Sequence, residues 1–332
     1  MRVLITGGAG SLGQALVKHC LSLPSVERVV VYSRDEWKHA QLAAQYTDPR
    51  LRCFLGDVRD SRRLTQALYD IDTVIHAAAL KRVDAVAYNP DEVVKTNVLG
   101  TMNVIHAAVQ ADTEKVLVIS SDKAVNPTNI YGASKMMTEW LAVAANSYAY
   151  PQGTAVSCVR YGNVLGSRGS VLDLWKQAIA AGQSLTVTSD VATRFWMTMD
   201  TAVAFVWRAL AMMEGGEIFI PPMSAAPVID LATAFSWVTT SAAHGTYWWG
   251  HSVPTIAVTK LRPGGEKLHE SLINAEESTR TIYAGWAYII APSLMPWRDE
   301  AMFIGTRVSP GWEYRSDTAP RLTTLELQTM LT

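Results

Sequence analysis

Four side chains that can move protons stand close together in one run of this chain: Asp122 and Lys123, then Tyr131, then Lys135. Tyr131 and Lys135 are four residues apart, which on a helix places them one turn apart on one face. An ammonium that close to a phenol favours the phenolate and makes the tyrosine a base near neutral pH. Such a pair alone is common in helices. The Asp-Lys dipeptide nine and eight residues before the tyrosine adds a carboxylate and a second amine. Together the four groups could remove and deliver protons at more than one atom of a bound molecule.

The run follows Lys115-Val116-Leu117-Val118-Ile119, which reads as a buried parallel strand, and precedes an Ala- and Met-rich helix pattern to about Ala149. An open α/β sheet places its ligands at such a carboxyl end. The first strand, Met1 to Thr6, enters Thr6-Gly7-Gly8-Ala9-Gly10-Ser11-Leu12-Gly13 and a helix from Ser11 to about Leu23. Gly7, Gly10 and Gly13 suit a tight turn, close approach of backbone to a pyrophosphate, and helix against strand. The helix N-terminus offers free N–H groups to phosphates. A second strand, Arg28 to Tyr32, ends in Ser33-Arg34-Asp35, with Lys38 a turn on. An acid here holds a ribose 2′-OH and an arginine a 2′-phosphate, so Ser33-Arg34 favours NADP while Asp35 leaves NAD open. The third strand, Leu51 to Gly56, leads to Asp57, whose carboxylate could meet an adenine amino group. The fourth, Thr73 to His76, leads to Ala77-Ala78-Ala79-Leu80-Lys81, small enough for a cofactor to lie alongside, with Lys81 at the cleft mouth. Asn97 is a polar residue in a helix over Asp91–Ala111, and its plainer reading is a hydrogen bond to the neighbouring loop.

The expected fold is therefore α/β, a Rossmann-type doubly wound parallel sheet over residues 1–165. A smaller mixed α/β substrate domain follows over 166–332, with segments returning to the first domain. After the strand Ala155–Arg160 the strand–helix alternation weakens, and Trp and Pro become more frequent. At 49% hydrophobic and 18% charged, the 332 residues can bury a large core, which argues against disorder. A net charge of −1 without basic patches argues against nucleic acid. No uninterrupted run of about 18 apolar residues suggests a membrane span. A start directly on a strand leaves no room for a signal peptide, and Cys20, Cys53 and Cys158 lie far apart, as in a reduced cytoplasmic protein. The seven histidines show no metal-ligand spacing, so no metal is expected.

These motifs resemble extended short-chain dehydrogenase/reductases acting on nucleotide sugars, and most closely the inverting UDP-N-acetylglucosamine 4,6-dehydratases. The matching runs are Thr6–Gly13, Tyr32–Glu36, Gly56–Asp60, Ala77–Lys81, Ser121–Lys135, Arg160–Ser170, Thr193–Met197, Arg262–Glu270 and Glu313–Thr318. Asp-Lys before the tyrosine is the specific mark, because epimerases usually carry Ser/Thr there and thymidine-linked hexose dehydratases Asp-Glu. Two departures stand out: Gly264-Gly265 makes the Arg-Pro-Gly-Glu-Lys motif one glycine longer, and Thr239–Thr259 has no recognised counterpart.

The resemblance implies a redox-neutral elimination on a UDP-sugar. Tyr131, activated by Lys135, would take the O4 proton, Lys123 would be the base at C5, its pKa lowered by burial, and Asp122 the acid for the departing water. The cofactor would be held by Thr6, Gly7, Gly10, Ser11, Leu12 and Gly13, by Ser33, Arg34, Lys38, Asp57 and Val58, by Ala77, Ala78, Ala79, Lys81 and Asn97, and by Ser120, Tyr131, Lys135, Tyr161, Asn163 and Val164. The sugar nucleotide would meet Lys81, Ser121, Asn163, Arg168, Arg194, Met197, Arg262 and Glu266, the arginines suiting a diphosphate. A homo-oligomer, dimer or hexamer, is expected through the long apolar helices. A 4-epimerase or reductase on the same fold, and a non-catalytic NADP-binding regulator, are the competing readings.

Overall fold

The computed structural model describes residues 1–243, 254–261, 265–293 and 304–332. Its first half alternates strand and helix: β1 (Arg2–Thr6), α1 (Ser11–Ser22), β2 (Arg28–Ser33), α2 (Glu36–Gln45), β3 (Leu51–Leu55), α3 (Ser61–Ala67) and β4 (Thr73–His76). The short helices α4 (Val83–Ala87) and α5 (Pro90–Val93) follow; a wide π-turn, Val94–Leu99, then joins α5 to α6 (Gly100–Gln110). Next come β5 (Lys115–Ile119), α7 (Ile130–Ala149) and β6 (Ala155–Val159). Strands β3, β2, β1, β4, β5 and β6 lie side by side in that order, all parallel. Their apolar side chains, among them Val3, Leu4, Ile5, Val29, Val31, Ile75, Leu117 and Val156, are fully buried between the helices. Burial on both faces is why these strands read as continuous apolar runs.

Regular alternation ends near residue 165, but the sheet does not. After β7 (Asn163–Val164), α8 (Val171–Ala180), β8 (Leu185–Val187), β9 (Thr193–Met197) and α9 (Met199–Met212), strand β10 (Ile218–Ile220) pairs parallel to β6. The chain then makes β11 (Ala225–Pro227), α10 (Val228–Ala243), β12 (Ile256–Val258), β13 (Ser271–Ile273) and α11 (Ala275–Ser278). It finishes with β14 (Thr281–Tyr283), β15 (Tyr288–Ile290), β16 (Thr306–Arg307), β17 (Tyr314–Arg315) and α12 (Thr324–Leu331). Strands β15, β14 and β16 extend the large sheet antiparallel beyond β10. A single cut at 165 therefore does not divide the chain in space, because the second half supplies four strands to the first half's sheet. The rest of that half has its own core, in which Leu172, Trp175, Leu185, Trp196, Leu231, Phe235 and Leu327 pack together. Of the unmatched segment Thr239–Thr259, residues 244–253 lie outside the described residues, and Ile256–Val258 pairs parallel with β8.

Helix α7 is the element on which the site is built. Asn129 caps it, its side chain accepting from the Gly132 N–H at 2.9 Å, a contact worth about 1 kcal/mol. Its buried stripe runs Tyr131, Ser134, Lys135, Thr138, Glu139, Ala142, Ala145 and Ala149, the three- and four-residue spacing of one helix face. The stripe is polar at its N-terminal end, where it meets the catalytic run, and small and apolar beyond, where it packs on β5 and β6. Gly132 permits the close fit: a Cβ there would sit 2.3 Å from the Lys123 carbonyl oxygen, which is backbone and cannot step aside.

A buried ion cluster ties the two halves together behind the site. Arg160, 1% exposed at the end of β6, donates bidentately to Glu139 of α7 at 2.9 and 2.6 Å. It also donates to Glu277 of α11 at 2.9 and 2.7 Å and to the Leu272 carbonyl of β13 at 2.8 Å. Burial would drive the Glu277 carboxyl upward, but Arg160 outweighs it and holds the group below the usual carboxylate range.

Candidate active site

The run after β5 turns sharply: Ser121 caps a single 3-10 turn over Asp122–Ala124, and α7 then returns antiparallel to the strand. Asp122, Lys123 and Tyr131 are brought together there. Asp122 is fully buried; its Oδ1 accepts from Ser121 Oγ at 2.8 Å and from Lys123 Nζ at 3.0 Å. Its Oδ2 is buried without a hydrogen-bond partner. Lys123 Nζ also lies 3.5 Å from Asn163 Oδ1 and 3.5 Å from Glu270 Oε1. Burial pulls the Lys123 ammonium down, but Asp122 and Glu270 together outweigh it and hold the group above its ordinary value. This corrects the expectation that burial leaves Lys123 a ready base: with two carboxylates beside it, Lys123 rests as a cation.

A second correction concerns Tyr131. Burial pushes its phenol up, Lys123 and a hydrogen bond with Ser121 pull it down, and Asp122 and Glu270 push it up again; the balance is upward. The cation acting on the phenol is Lys123. Lys135 is drawn down to about 8 by burial, and its Nζ donates to the Ile119 carbonyl at 2.7 Å. It is held against the end of β5 with two of its three ammonium protons left for other acceptors. Tyr161 packs beside Tyr131, and its own hydroxyl is pushed up, first by burial and then by that neighbour.

The glycine loop fits a dinucleotide. Gly7 sits at φ +67°, and a Cβ there would meet the Ala78 backbone at 2.9 Å, so a turn of left-handed backbone passes directly over the β4 loop. Gly10, the N-cap of α1, provides no side-chain acceptor, so the first N–H groups of the helix are left for an anion. The β4 loop is fixed from both sides. Thr6 Oγ1 accepts from Ala78 N at 3.3 Å and bonds His76 Nδ1 at 2.6 Å, while His76 Nε2 bonds Thr101 at 2.9 Å. Burial, and next Lys135, bring His76 down to about 3, so this central imidazole is neutral. Asn97, in the π-turn, accepts from Leu80 N at 2.8 Å and donates to Leu80 O at 3.0 Å and Ser134 at 2.9 Å. Asn97 thus positions the loop after β4. Ser120 keeps a buried hydroxyl without a hydrogen-bond partner at the end of β5.

At the adenosine end, Arg34 is half exposed and 3.6 Å from Asp57. Asp57 also accepts from the Arg59 backbone and guanidinium. Ser33 bonds His39, and Asp35 caps α2 while pairing with Lys38. Val58 is buried against Gly100.

The expected sugar-nucleotide residues divide into several groups. Asn163 and Val164 form β7, paired parallel with Trp196 and Met197, and Met197 is core rather than surface. Arg168 sits on the loop after β7, whose backbone N–H donates to Ser11 Oγ at 2.8 Å, so this loop reaches the glycine turn; Lys81 lies exposed within electrostatic reach of Arg168 and Asp173. Arg194, expected on a diphosphate, is instead 5% exposed and donates to the carbonyls of Thr193, Lys267 and Leu268 and to Glu266 Oε1. Its guanidinium organises the 266–268 segment, and Glu266 is its partner there. Arg262 lies outside the described residues. The sequence reading gave no role to Glu270, although it ends the matching run Arg262–Glu270, or to His76, and the partners of each lie far away in the chain.

A glycine turn over a small-residue loop, together with an acid–amine pair and a tyrosine–lysine helix at the end of β5, defines an α/β fold suited to a dinucleotide and carrying an acid–base centre. A family model described as "Polysaccharide biosynthesis protein" matches residues 3–292, and the chain belongs to this family of extended short-chain dehydrogenase/reductases. The chain is 39% identical, over 96% of its length and 93% of the relative's, to "UDP-N-acetylglucosamine 4,6-dehydratase (inverting)" of Campylobacter jejuni. It is 36% identical to a "UDP-glucose 4-epimerase" of Rickettsia massiliae, over 84% of this chain and 79% of that one. The solved structure of Pen from Bacillus thuringiensis matches with a TM-score of 0.88 at 34% identity, over 99% of this chain and 97% of that one. Solved nucleotide-sugar enzymes of the same fold carry NAD, and a nicotinamide cofactor is the group this site suits.

Proposed function

We propose that this protein is an NADP-dependent hydro-lyase that converts UDP-N-acetylglucosamine to a UDP-4-keto-6-deoxy-hexosamine with inversion at C5. The observation that carries the reading is the Asp122–Lys123 ion pair set beside Tyr131. A 4-epimerase or reductase needs a proton moved only at O4, for which a tyrosine with one neighbouring cation suffices. An elimination across C5 and C6 needs an additional base and an additional acid, and this pair supplies both.

A bound nicotinamide would supply positive charge that favours the Tyr131 phenolate and would carry hydride from C4 to C6. Tyr131 takes the O4 proton, with Lys123 and Ser121 stabilising the phenolate. The 4-ketone so formed acidifies H5. Lys123, a cation at rest, becomes a base by passing one proton along its 3.0 Å hydrogen bond to Asp122. That single transfer yields an amine and a carboxylic acid, the two forms elimination requires. The amine takes H5, the C5–H electron pair forms the C5–C6 double bond, and the C6–O6 bond breaks as Asp122 protonates the departing water. Inversion at C5 requires the ring to turn its other face to Lys123, again an ammonium, before it returns a proton there. Lys81, Asn163 and Arg168 border the space left for the sugar nucleotide.

Incubation with UDP-N-acetylglucosamine, followed by mass spectrometry and proton NMR, is expected to give a product one water lighter with a methyl doublet at C6. An isomer of unchanged mass would make the protein an epimerase, and binding without turnover a regulator.

The choice of NADP rests on Arg34 and Asp35. Asp35 already caps α2 and pairs with Lys38, while the half-exposed Arg34 can turn to a 2′-phosphate. A charge-assisted contact of this kind is worth about 1.5–3 kcal/mol. Arg34→Ala is therefore expected to weaken NADP roughly 10–150-fold in a fluorescence titration and leave NAD nearly unchanged; equal loss for both, or a native preference for NAD, would overturn the choice of NADP.

Helix α7 exposes Met137, Trp140 and Tyr148, and the helix before α6 exposes Val94 and Leu99. These faces support a homo-oligomer, at least a dimer; monomer mass alone in light scattering would count against it. Among the described residues no helix is long and apolar enough to cross a membrane.

A further inference from the structure

Glu270 has no part in the mechanism above, yet its side chain is 4% exposed and ends at the reacting pair. It lies just before β13, where its backbone N–H donates to Ser316 Oγ at 2.9 Å and its carbonyl accepts from Ser316 N at 2.9 Å. The Ser316 hydroxyl in turn meets Thr193 Oγ1 at 2.7 Å. The carboxylate is thereby fixed at the junction of β9, β13 and β17. Its Oε1 faces Lys123 Nζ at 3.5 Å, and its Oε2 faces Lys267 Nζ at 3.4 Å. Lys267 gives its own close hydrogen bond to the Val125 carbonyl at 2.7 Å, and Glu270 Oε2 accepts none.

That geometry does not suit a purely structural ion pair. Close charge-assisted bonds run about 2.7–2.9 Å, as those of Arg160 do, and a buried carboxylate with an unbonded oxygen is costly to keep. Charge alternates in a line from Asp122 through Lys123 and Glu270 to Lys267. The other charged or titratable groups facing Lys123 are Arg194 from β9, which opposes its charge, and Tyr131 from α7.

We infer that Glu270 is a positioning residue of the proton-transfer centre, which holds Lys123 as an ammonium between turnovers and strengthens it as the base at C5. The inference rests on the reading of Lys123 as that base. Positive charge grows on Nζ as H5 is taken, at the moment when Asp122 is giving its own proton to the leaving oxygen. Glu270 is then the counter-ion that remains charged throughout the step. The raised position of Lys123 agrees with this role.

The experiment is Glu270→Gln, which keeps the shape and removes the charge. In protein labelled with 13C-lysine, and without substrate, the Lys123 side-chain resonance (assigned through Lys123→Met) is followed with pH. Loss of a neighbouring carboxylate lowers a lysine pKa, so the titration of Lys123 is expected to move about one to three units toward neutral pH. The alkaline limb of kcat is expected to move with it, solvent deuterium entry at C5 to slow more than KM rises, and Glu270→Asp to return part of both shifts. An unmoved Lys123 titration in Glu270→Gln overturns the inference, whatever the true substrate is. So does a shifted titration with an unshifted kcat limb, because Glu270 would then be structural. Should the glutamine variant not fold, Glu270→Asp alone must show smaller shifts of the same sign, and none overturns the inference. Absence of any dehydration by the parent protein, with the titration shift intact, would instead reject the dehydratase reading.

Discussion

Lys123→Met is expected to lower dehydration by about 10²–10⁴-fold, the usual worth of a positioned acid–base group, and to do so through two separable effects. The methionine cannot take H5, so solvent deuterium should not enter C5 at any pH. The methionine also removes the cation that draws the Tyr131 phenol down. The phenol therefore moves still further up, and oxidation at C4 should slow at neutral pH and recover as pH rises. Single-turnover absorbance of the reduced cofactor, read across pH, together with NMR of deuterium at C5, distinguishes the two. Parent-like H5 exchange in the variant would move the base to another group. Failure of C4 oxidation even at high pH would give Lys123 a positioning role in the first step. Tyr131→Phe should block C4 oxidation outright, with no alkaline recovery, because no phenolate can form. On this expectation the division of labour is less sharp than spacing alone implies: Lys123 would serve both steps, while Lys135 holds the end of β5.

The largest stability effect is expected at Arg160→Met. The change leaves Glu139 and Glu277 buried without their cation, a loss of about 3–5 kcal/mol for a broken buried pair. Chemical denaturation at neutral pH, comparing midpoints at constant slope, measures it. The pH dependence has a defined sign. In the parent, Glu277 is held below its unfolded value, so its contribution is fully present above about pH 4.3 and is lost as pH falls through the folded value. In the variant the burial that Arg160 outweighed is opposed only by the smaller contributions of Asn274 and Arg280, so Glu277 moves upward and acidification should relieve part of the penalty. The gap between parent and variant should narrow from pH 7 toward pH 4. A constant gap would mean that Arg160 acts by packing its length against β13 rather than by charge.

Those features that depend on a few neighbouring residues were legible in the chain itself. The glycine spacing after β1, the apolar runs of β4 and β5, the start of α1 at Ser11 and the one-turn separation of Tyr131 and Lys135 are each set by backbone sterics, strand burial or helix period acting locally. So was the prominence of Asp122-Lys123, since two adjacent ionisable side chains at a strand's carboxyl end are apparent without a fold. Asn97 was legible too, in its plainer reading, as a clamp on the neighbouring loop.

Tertiary structure alone decided what depends on distant partners. The charge of Lys123 was expected to fall through burial, and burial does act that way; Asp122 first, and then Glu270, 147 positions along the chain, together outweigh it. Lys135 faces the Ile119 carbonyl because α7 folds back on β5, a geometry that helix spacing does not contain. Arg194 looked like a phosphate ligand, and became a clamp when β9 came to lie against residues 266–268. That segments of the second half return to the first domain was expected, but not which ones: short strands such as β10 and β14–β16, separated by irregular chain, carry no period long enough to recognise. Electrostatic interaction grows steeply as water is excluded. The sequence therefore determined which ionisable groups the protein has, and the fold, by choosing which of them lose water together, determined what each can do.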